Sequence, residues 1–136
     1  MGGSDEPRQP SSTDAIFEDR LAHLRRLCLA LPEVNERPSH SSPTWWVRDK
    51  KTFVSFVGEH HGKRLAFWCA APPGAAAELI GEDPERFFRP PYVGHHGWLG
   101  VYVDLEPDWD ELAEIILDAY RRVAPKRLLA QLPDGP

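Results

Sequence analysis

The sequence predicts an α+β fold, an antiparallel sheet that carries the N-terminal and C-terminal helices on one face. Two observations lead to this fold class. Strand-like segments in the middle of the chain are joined by connections of only a few residues, which is typical of antiparallel hairpins. Both ends of the chain show the apolar periodicity of amphipathic helices.

The first helix is predicted after a cap at Thr13 or Asp14 and ends at Pro32. Its apolar residues recur at the spacing of one helix face: Phe17, Leu21, Leu24, Cys28 and Leu31. The polar, proline-containing segment 33–43 that follows is predicted to be a loop.

Three strands are predicted next, at residues 44–48, 52–57 and 64–70. All three are rich in aromatic and β-branched residues, which favour extended structure. Short polar turns at 49–51 and 58–62 join them, so we expect two consecutive hairpins.

The second half of the chain returns to helices with one strand among them. Short helices are predicted at 75–80 and at 83–88, where Asp83 can act as cap and Pro84 occupies the first helical position. In the last strand, one alternating set faces the helices: Leu99, Val101, Val103 and Leu105. The other set faces away: Trp98, Gly100, Tyr102 and Asp104. The last helix is predicted at 108–123, and the predicted order of elements is α-β-β-β-α-α-β-α.

Composition indicates one globular domain. The chain has 136 residues, 41% hydrophobic and 27% charged, and we expect a domain at 13–132 between a disordered tail at 1–12 and a short tail at 133–136. No apolar run reaches the ~20 residues of a membrane helix, and the polar N-terminus has no signal-peptide features. Cys28 and Cys69 lack CxxC spacing, which favours reduced, buried thiols. We therefore expect a cytoplasmic monomer without a cofactor.

The charge is uneven along the chain. The net charge of −5 argues against a generic polyanion binder. The segment from residue 37 to residue 64, however, contains six basic and two acidic residues, a local net charge of +4. The bases are Arg37, Arg48, Lys50, Lys51, Lys63 and Arg64. A modest basic patch on an acidic protein is the prediction.

Three blocks of sequence carry a family resemblance. They are LCLALPE at 27–33, the segment from Tyr92 to WLGVYVD at 98–104, and the last helix from Leu112 through AYRRVAPK at 119–126. In this order and spacing, over residues 14–132, the sequence resembles the MmcQ/YjbR family, small bacterial proteins with a frataxin-like (CyaY-like) fold. The resemblance implies a DNA-binding role of the double-wing type and implies no catalytic chemistry. Iron binding by a frataxin-like acidic first helix is not carried over, because arginines balance the acids of this helix.

The candidate binding surface is the sheet face that the helices leave uncovered. Trp98 and Tyr102 are predicted to lie there, with one alternating set from 44–48 and one from 64–70. Exposed aromatic faces of this kind usually form a groove or an interface. Bases at its rim could hold phosphates while the aromatics stack nucleobases: Arg48, Lys50, Lys51, Lys63 and Arg64. Alternatively, segments 90–92 and 33–43 fold over this face and make a second small core.

The histidine pairs are weaker candidates. His95 and His96 precede Trp98 and belong to the same predicted contact surface, whereas residues 60 and 61 fall in a turn. Neighbouring histidines rarely point at one ion, and neither pair has the spacing of a metal site, so we expect no metal. Neither His96 nor any other residue has a recognisable nucleophile or orienting partner, so an enzyme is the less favoured class.

The sequence therefore favours a non-enzymatic binding protein, with DNA as the expected partner. The rival hypothesis is a small-molecule or protein-binding pocket between segment 90–98 and the sheet. A flat basic face would support DNA, and a concave apolar space near Trp98 would support the pocket.

Overall fold

The computed structural model describes residues 12–57, 64–91 and 93–132, without the side chains of residues 12–14 and 95. The helices of this part of the chain are α1 (Ser12–Leu29), α2 (Ala75–Glu82), α3 (Trp109–Val123) and α4 (Lys126–Leu129). Its strands are β1 (Val34–Glu36), β2 (Thr44–Val47), β3 (Lys51–Val57), β4 (Ala66–Cys69), β5 (Phe87–Phe88) and β6 (Leu99–Tyr102). A single 3₁₀ turn, Gly94–His96, precedes β6 within these residues.

The strands form one antiparallel sheet. Its order over the described residues is β1-β2-β3-β4-β6-β5, and each neighbouring pair is antiparallel. β2, β3 and β4, predicted as consecutive antiparallel strands, pair in that order in the middle of the sheet, and the turn predicted at 58–62 lies outside the described residues. The predicted α+β class, with an antiparallel sheet and helices at both ends of the chain, is confirmed.

α1 and α3 pack on the same face of the sheet, here called the inner face. The Phe17 ring of α1 lies 4.9 Å from the ring of Phe56, and Phe53 meets Tyr120 of α3 edge to face at 5.8 Å. The Tyr120 hydroxyl donates a hydrogen bond to the Pro32 carbonyl at 2.8 Å. That bond ties α3 to the chain segment that ends α1.

A register shift adapts β3 to this packing. The pairing of β2 with β3 slips between Trp45 and Trp46, as in a β-bulge. Strict alternation would place Phe53 and Val54 on opposite faces, yet both are fully buried. The bulge therefore lets two consecutive side chains of β3 enter the core.

α3 follows its sequence signals closely. The Asp108 carboxylate accepts hydrogen bonds from the backbone N–H groups of Asp110 and Glu111, which otherwise have no partner in the first turn. Arg121 and Arg122 lie in the last turn, where the helix dipole favours positive charge. The helix predicted at 108–123 is thus present, with Asp108 as its cap.

Two short edge strands were not predicted. β1 lies in the segment predicted to be a loop, and residues 83–88, predicted as a helix, form a turn followed by β5. Asp83 does accept helix-like hydrogen bonds from Arg86 and Phe87, but Phe87 then pairs with Val101 of β6. Strands of two or three residues are too short to show alternation, which is why the sequence missed them.

The end of β6 also differs from the prediction. Leu105 was expected to face the helices, but it is 75% exposed because β6 ends at Tyr102. Beyond the strand, buried Arg20 of α1 donates a 2.7 Å hydrogen bond from Nε to the Val103 carbonyl. This bond ends the alternation by turning the chain toward α1.

The predicted tails lie almost entirely outside the described residues. Ser12, assigned to the N-terminal tail, is the first residue of α1, and residues 1–11 and 133–136 are not described. Within the described ranges, no helix is both long enough and apolar enough to cross a membrane.

Candidate ligand-binding groove

The face opposite α1 and α3, here called the outer face, carries a continuous row of cross-strand partners. Ser55 pairs with Trp68, Trp68 with Gly100, and Gly100 with Phe88. Directly opposed residues share a face of the sheet, so the side chains of Ser55, Trp68 and Phe88 point away from the helices, and Gly100 leaves a gap between the last two.

One end of the outer face is filled by stacked side chains. The Phe88 ring covers Gly100 so closely that a Cβ added there would lie 2.4 Å from it. Tyr102 stacks on Phe88 at 4.5 Å, and the Arg64 guanidinium lies 3.8 Å above Tyr102. Asp104 accepts two 2.9 Å hydrogen bonds from Arg64. Phe88, which covers this end of the outer face, comes from a segment that was predicted to be a helix, and residue 92 of the predicted covering segment 90–92 lies outside the described residues.

The other end is closed in a similar way. Arg37 lies 3.8 Å over the Trp46 ring, and its backbone carbonyl accepts the Trp46 Nε1–H at 2.9 Å. Asp49 in turn accepts a 2.8 Å hydrogen bond from Arg37. This bond, with a second from Asn35, holds the pKa of the Asp49 carboxyl below its ordinary value.

Between these ends the outer face is open and concave, with a groove of about 730 Å³. Its floor comes from β3 and β4: Thr52, Ser55, Val57 and Trp68. One wall is the turn between β1 and β2: Ser39, His40 and Ser42. The opposite wall is the segment before β6: Val93, His96 and Trp98.

Local backbone structure fixes both walls. Ser39 and Ser42 exchange two 2.9 Å backbone hydrogen bonds across a two-residue turn, in which His40 and Ser41 have positive φ. That conformation suits the twist of a hairpin, at some steric cost for residues with a Cβ. On the other side, Gly97 has φ 82° and ends the 3₁₀ turn directly before Trp98.

The lining of the groove has a distinct chemistry. None of its described lining residues is Asp, Glu, Lys or Arg. Its polar side chains are four serine and threonine hydroxyls and the imidazoles of His40 and His96, and its apolar side chains are two indoles and two valines. Such a mainly apolar hollow with a few placed polar groups is typical of small-molecule sites.

The structure places the predicted site residues in several different environments. Trp98 and His96 line the groove. Tyr102 and Arg64 belong to the Phe88 stack. Arg48, in the turn between β2 and β3, forms an ion pair with Glu33, with 3.5 Å between its Nε and the Glu33 Oε1. Lys50 and Lys51 are exposed beside that turn. Lys63 and the side chain of His95 lie outside the described residues.

The basic segment does not form one patch. Lys51 begins β3, whereas Arg64 precedes β4 beside Val57, at the opposite end of β3. Seven extended residues separate these ends by about 20 Å. The described bases of this segment are therefore divided between the two ends of β3, and Arg37, Arg48 and Arg64 each have a carboxylate partner.

Sequence reasoning missed most of the groove floor. It left open which alternating set of β4 shares a face with Trp98, and so did not select Trp68. Thr52 and Ser55, the two hydroxyl residues of a hydrophobic strand, were the available signal for an outer-facing set, but they are three positions apart and so break the two-residue alternation of a strand. The bulge between them obscured it.

A second hollow, of about 630 Å³, lies where β6 leads into α3. Several polar side chains in and beside this hollow already have protein partners. Asp104 pairs with Arg64, and Glu111 accepts hydrogen bonds of 2.8 and 2.9 Å from Arg86. Burial raises the pKa of Asp104, but its hydrogen bonds from Arg64 and the backbone outweigh this and keep that pKa below its ordinary value. We therefore regard this hollow as structural.

The described residues contain no group of side chains arranged to hold a metal ion and no accessible thiol. Among them, no three His, Cys, Asp or Glu side chains form a group that could hold a metal ion. Cys28 and Cys69 are free and buried, and burial raises the pKa of both thiols. Both therefore behave as small core residues.

Comparison with known proteins identifies relatives of the sequence and of the fold. Residues 29–122 match the model of the YjbR family. Among solved structures, the fold is similar to the crystal structure of the Deinococcus radiodurans protein DR2400, which has a DUF419 domain. The two chains are 18% identical, with a TM-score of 0.68 over 85% of this chain and 91% of that chain. At that identity the likeness concerns the fold alone. No curated protein matches the sequence.

Proposed function

The chain belongs to the YjbR family, and from that premise we propose that it is a binding protein whose small-molecule ligand occupies the outer-face groove. The observation that carries the proposal is the contrast along the outer face. Arginine and aromatic side chains fill both ends of that face, while the space between Trp68 and Trp98 is open.

The form of the groove supports a small ligand. Its volume of about 730 Å³ lies within the range of roughly 300–1,000 Å³ that is usual for ligand pockets. Walls from two separate chain segments and a floor on a rigid sheet give it a fixed shape. Trp98, the predicted contact residue, is half-buried and packs against the core on its other side.

A groove-filling variant tests this proposal. Ser55→Trp places an indole on the groove floor, and we expect fragments found by ligand-observed NMR with the wild-type protein to lose their binding to this variant. Glu114→Trp, which adds the same side chain at an exposed position of α3, is the matched control and keeps that binding. Fragments that bind Ser55→Trp as well as the wild type would show that the ligand site lies elsewhere.

DNA binding is the second candidate function, and one observation favours it. Lys50 and Lys51 are exposed at the tip of the β2–β3 hairpin, and neither takes part in an ion pair among the described residues. A hairpin tip with two available ammonium groups could contact a DNA backbone as a wing. In either role we propose that the protein acts as a monomer in the bacterial cytoplasm.

Salt dependence tests the DNA hypothesis. Two phosphate contacts predict that affinity for a duplex falls by about tenfold between 50 and 200 mM salt. Lys50→Ala combined with Lys51→Ala should remove that dependence in a fluorescence anisotropy titration. Arg122→Ala combined with Lys126→Ala removes the same charge at other exposed positions and is the control. Equal loss of affinity in both double variants would mean that only net charge matters and that the hairpin is not a wing.

A further inference from the structure

The indole N–H groups of the tryptophans fall into two classes. Trp45 donates to Glu36 at 3.1 Å, Trp46 to the Arg37 carbonyl at 2.9 Å, and Trp109 to Glu106 at 2.8 Å. The N–H groups of Trp68 and Trp98 have no acceptor among the described residues. These two are the tryptophans that line the groove.

The ring faces divide in the same way. Arg37 covers Trp46, and His23 stacks on Trp109 with ring centroids 4.2 Å apart. Within the described part of the chain, no aromatic ring or guanidinium group stacks on Trp68 or Trp98. Both indoles border the groove, and neither the N–H group nor the ring face of either one is taken up by another described residue.

The charge of the lining limits the ligand further. A ligand with a formal charge would lose hydration on entering a half-buried groove. The described lining has no carboxylate, ammonium or guanidinium group to compensate that charge, and its only ionisable side chains are the imidazoles of His40 and His96. An uncharged ligand avoids this penalty. Its hydrogen-bond acceptors would meet the indole donors and the serine and threonine hydroxyls.

We propose that the groove recognises an uncharged, flat heteroaromatic molecule. Its ring lies against the indoles of Trp68 and Trp98, and its ring nitrogens or carbonyl oxygens accept hydrogen bonds from their Nε1–H groups. This inference rests on the proposed function and adds the chemical class of the ligand.

Quinoxaline and naphthalene are a suitable pair of probes, because they share a fused-ring shape and only quinoxaline has acceptor nitrogens. Trp68→Phe and Trp98→Phe keep an aromatic ring and remove the N–H donor. Titrations followed by the indole ¹H–¹⁵N resonances give the dissociation constant of each probe for each variant. Trp109→Phe, at a tryptophan that already has a protein acceptor, is the matched control.

We expect quinoxaline to bind about fivefold more weakly to at least one of the two groove variants, the effect of losing one neutral hydrogen bond. Naphthalene should lose less affinity than quinoxaline in these variants, because it loses ring contact but no hydrogen bond, and Trp109→Phe should change neither probe. Binding of both probes in the groove without any difference between the variants would overturn the heteroaromatic inference and leave the proposed function standing. A second outcome also overturns only the heteroaromatic inference. In it, neither probe shifts the Trp68 and Trp98 resonances, while other fragments still bind the wild-type protein and fail to bind Ser55→Trp. If no compound of any kind binds the groove, both proposals are wrong.

Discussion

The same amino acid has three different roles in this sheet, and its neighbours decide which. Trp45 is fully buried, and Glu36 satisfies its N–H. Trp46, one residue later, is covered on the outer face by Arg37. Trp68 and Trp98 have no such partner among the described residues and line the groove. The sequence could identify Trp98 as a surface aromatic, but only the strand register could place Trp68 beside it.

Asp104 should make stability depend on pH. Its pKa is depressed in the folded state, so the stabilisation is present above the ordinary carboxyl pKa of about 3.9 and is lost as the pH falls through the folded-state pKa. Asp104→Asn should lower the free energy of unfolding by about 0.5–1 kcal/mol at pH 7, because the pair with Arg64 is partly exposed. Urea unfolding at pH 7 and pH 3 measures this. A difference between variant and wild type that stays constant at both pH values would contradict it.

At the scale of elements, β5 covers one end of the outer face although it has only two residues. Its Phe88 ring occupies the space above Gly100 of β6. A glycine in the middle of a strand usually marks a close approach of another group, and this was the expectation from the sequence. The approaching group, Phe88, could not be predicted, because its segment was assigned to a helix.

Gly100→Ala should therefore destabilise the fold. The new Cβ would lie 2.4 Å from the Phe88 ring, and we expect a cost of about 1–3 kcal/mol from overpacking. Gly81→Ala in α2 is the control, since no atom lies within 4 Å of its added Cβ and alanine favours a helix. Thermal unfolding of both variants compares them. A stable Gly100→Ala protein would mean that Phe88 does not cover this position.

The success of the sequence analysis differed between elements for a physical reason. α1 and α3 are long and amphipathic, so their periodicity is visible without any partner. The edge strands β1 and β5 exist only because a longer neighbour supplies their hydrogen bonds. The bulge at Trp45 and Trp46 hid which residues of β3 face outward. The fold class was thus predictable, whereas the groove depended on tertiary contacts.

At the scale of the whole molecule, the inner and outer faces of the sheet have different tasks. α1 and α3 bury the inner face, where Cys28 and Cys69 are both inaccessible. Among the described residues neither α1 nor α3 covers the outer face, and short connections shape it instead. The bases cluster in one segment of the sequence, but in the fold they lie outside the groove. The outer face therefore presents a groove lined mainly by uncharged side chains and not a basic surface.

The buried thiols provide a global check on this packing. Because burial raises the pKa of both thiols, the native protein should react with a disulfide reagent at pH 8 at least about a hundredfold more slowly than the urea-unfolded chain. Absorbance of the released thiolate follows the reaction. Labelling of the native protein within seconds would show that the inner face is open.

Mapping of backbone amide shifts on binding tests the central claim most directly. With any fragment that binds the wild-type protein, the largest shifts should cluster on β3, on Trp68 and on the two walls at residues 39–42 and 93–98. Shifts that cluster instead at the hairpin tip around Lys50, or at the junction of β6 with α3, would place the site elsewhere and contradict the groove.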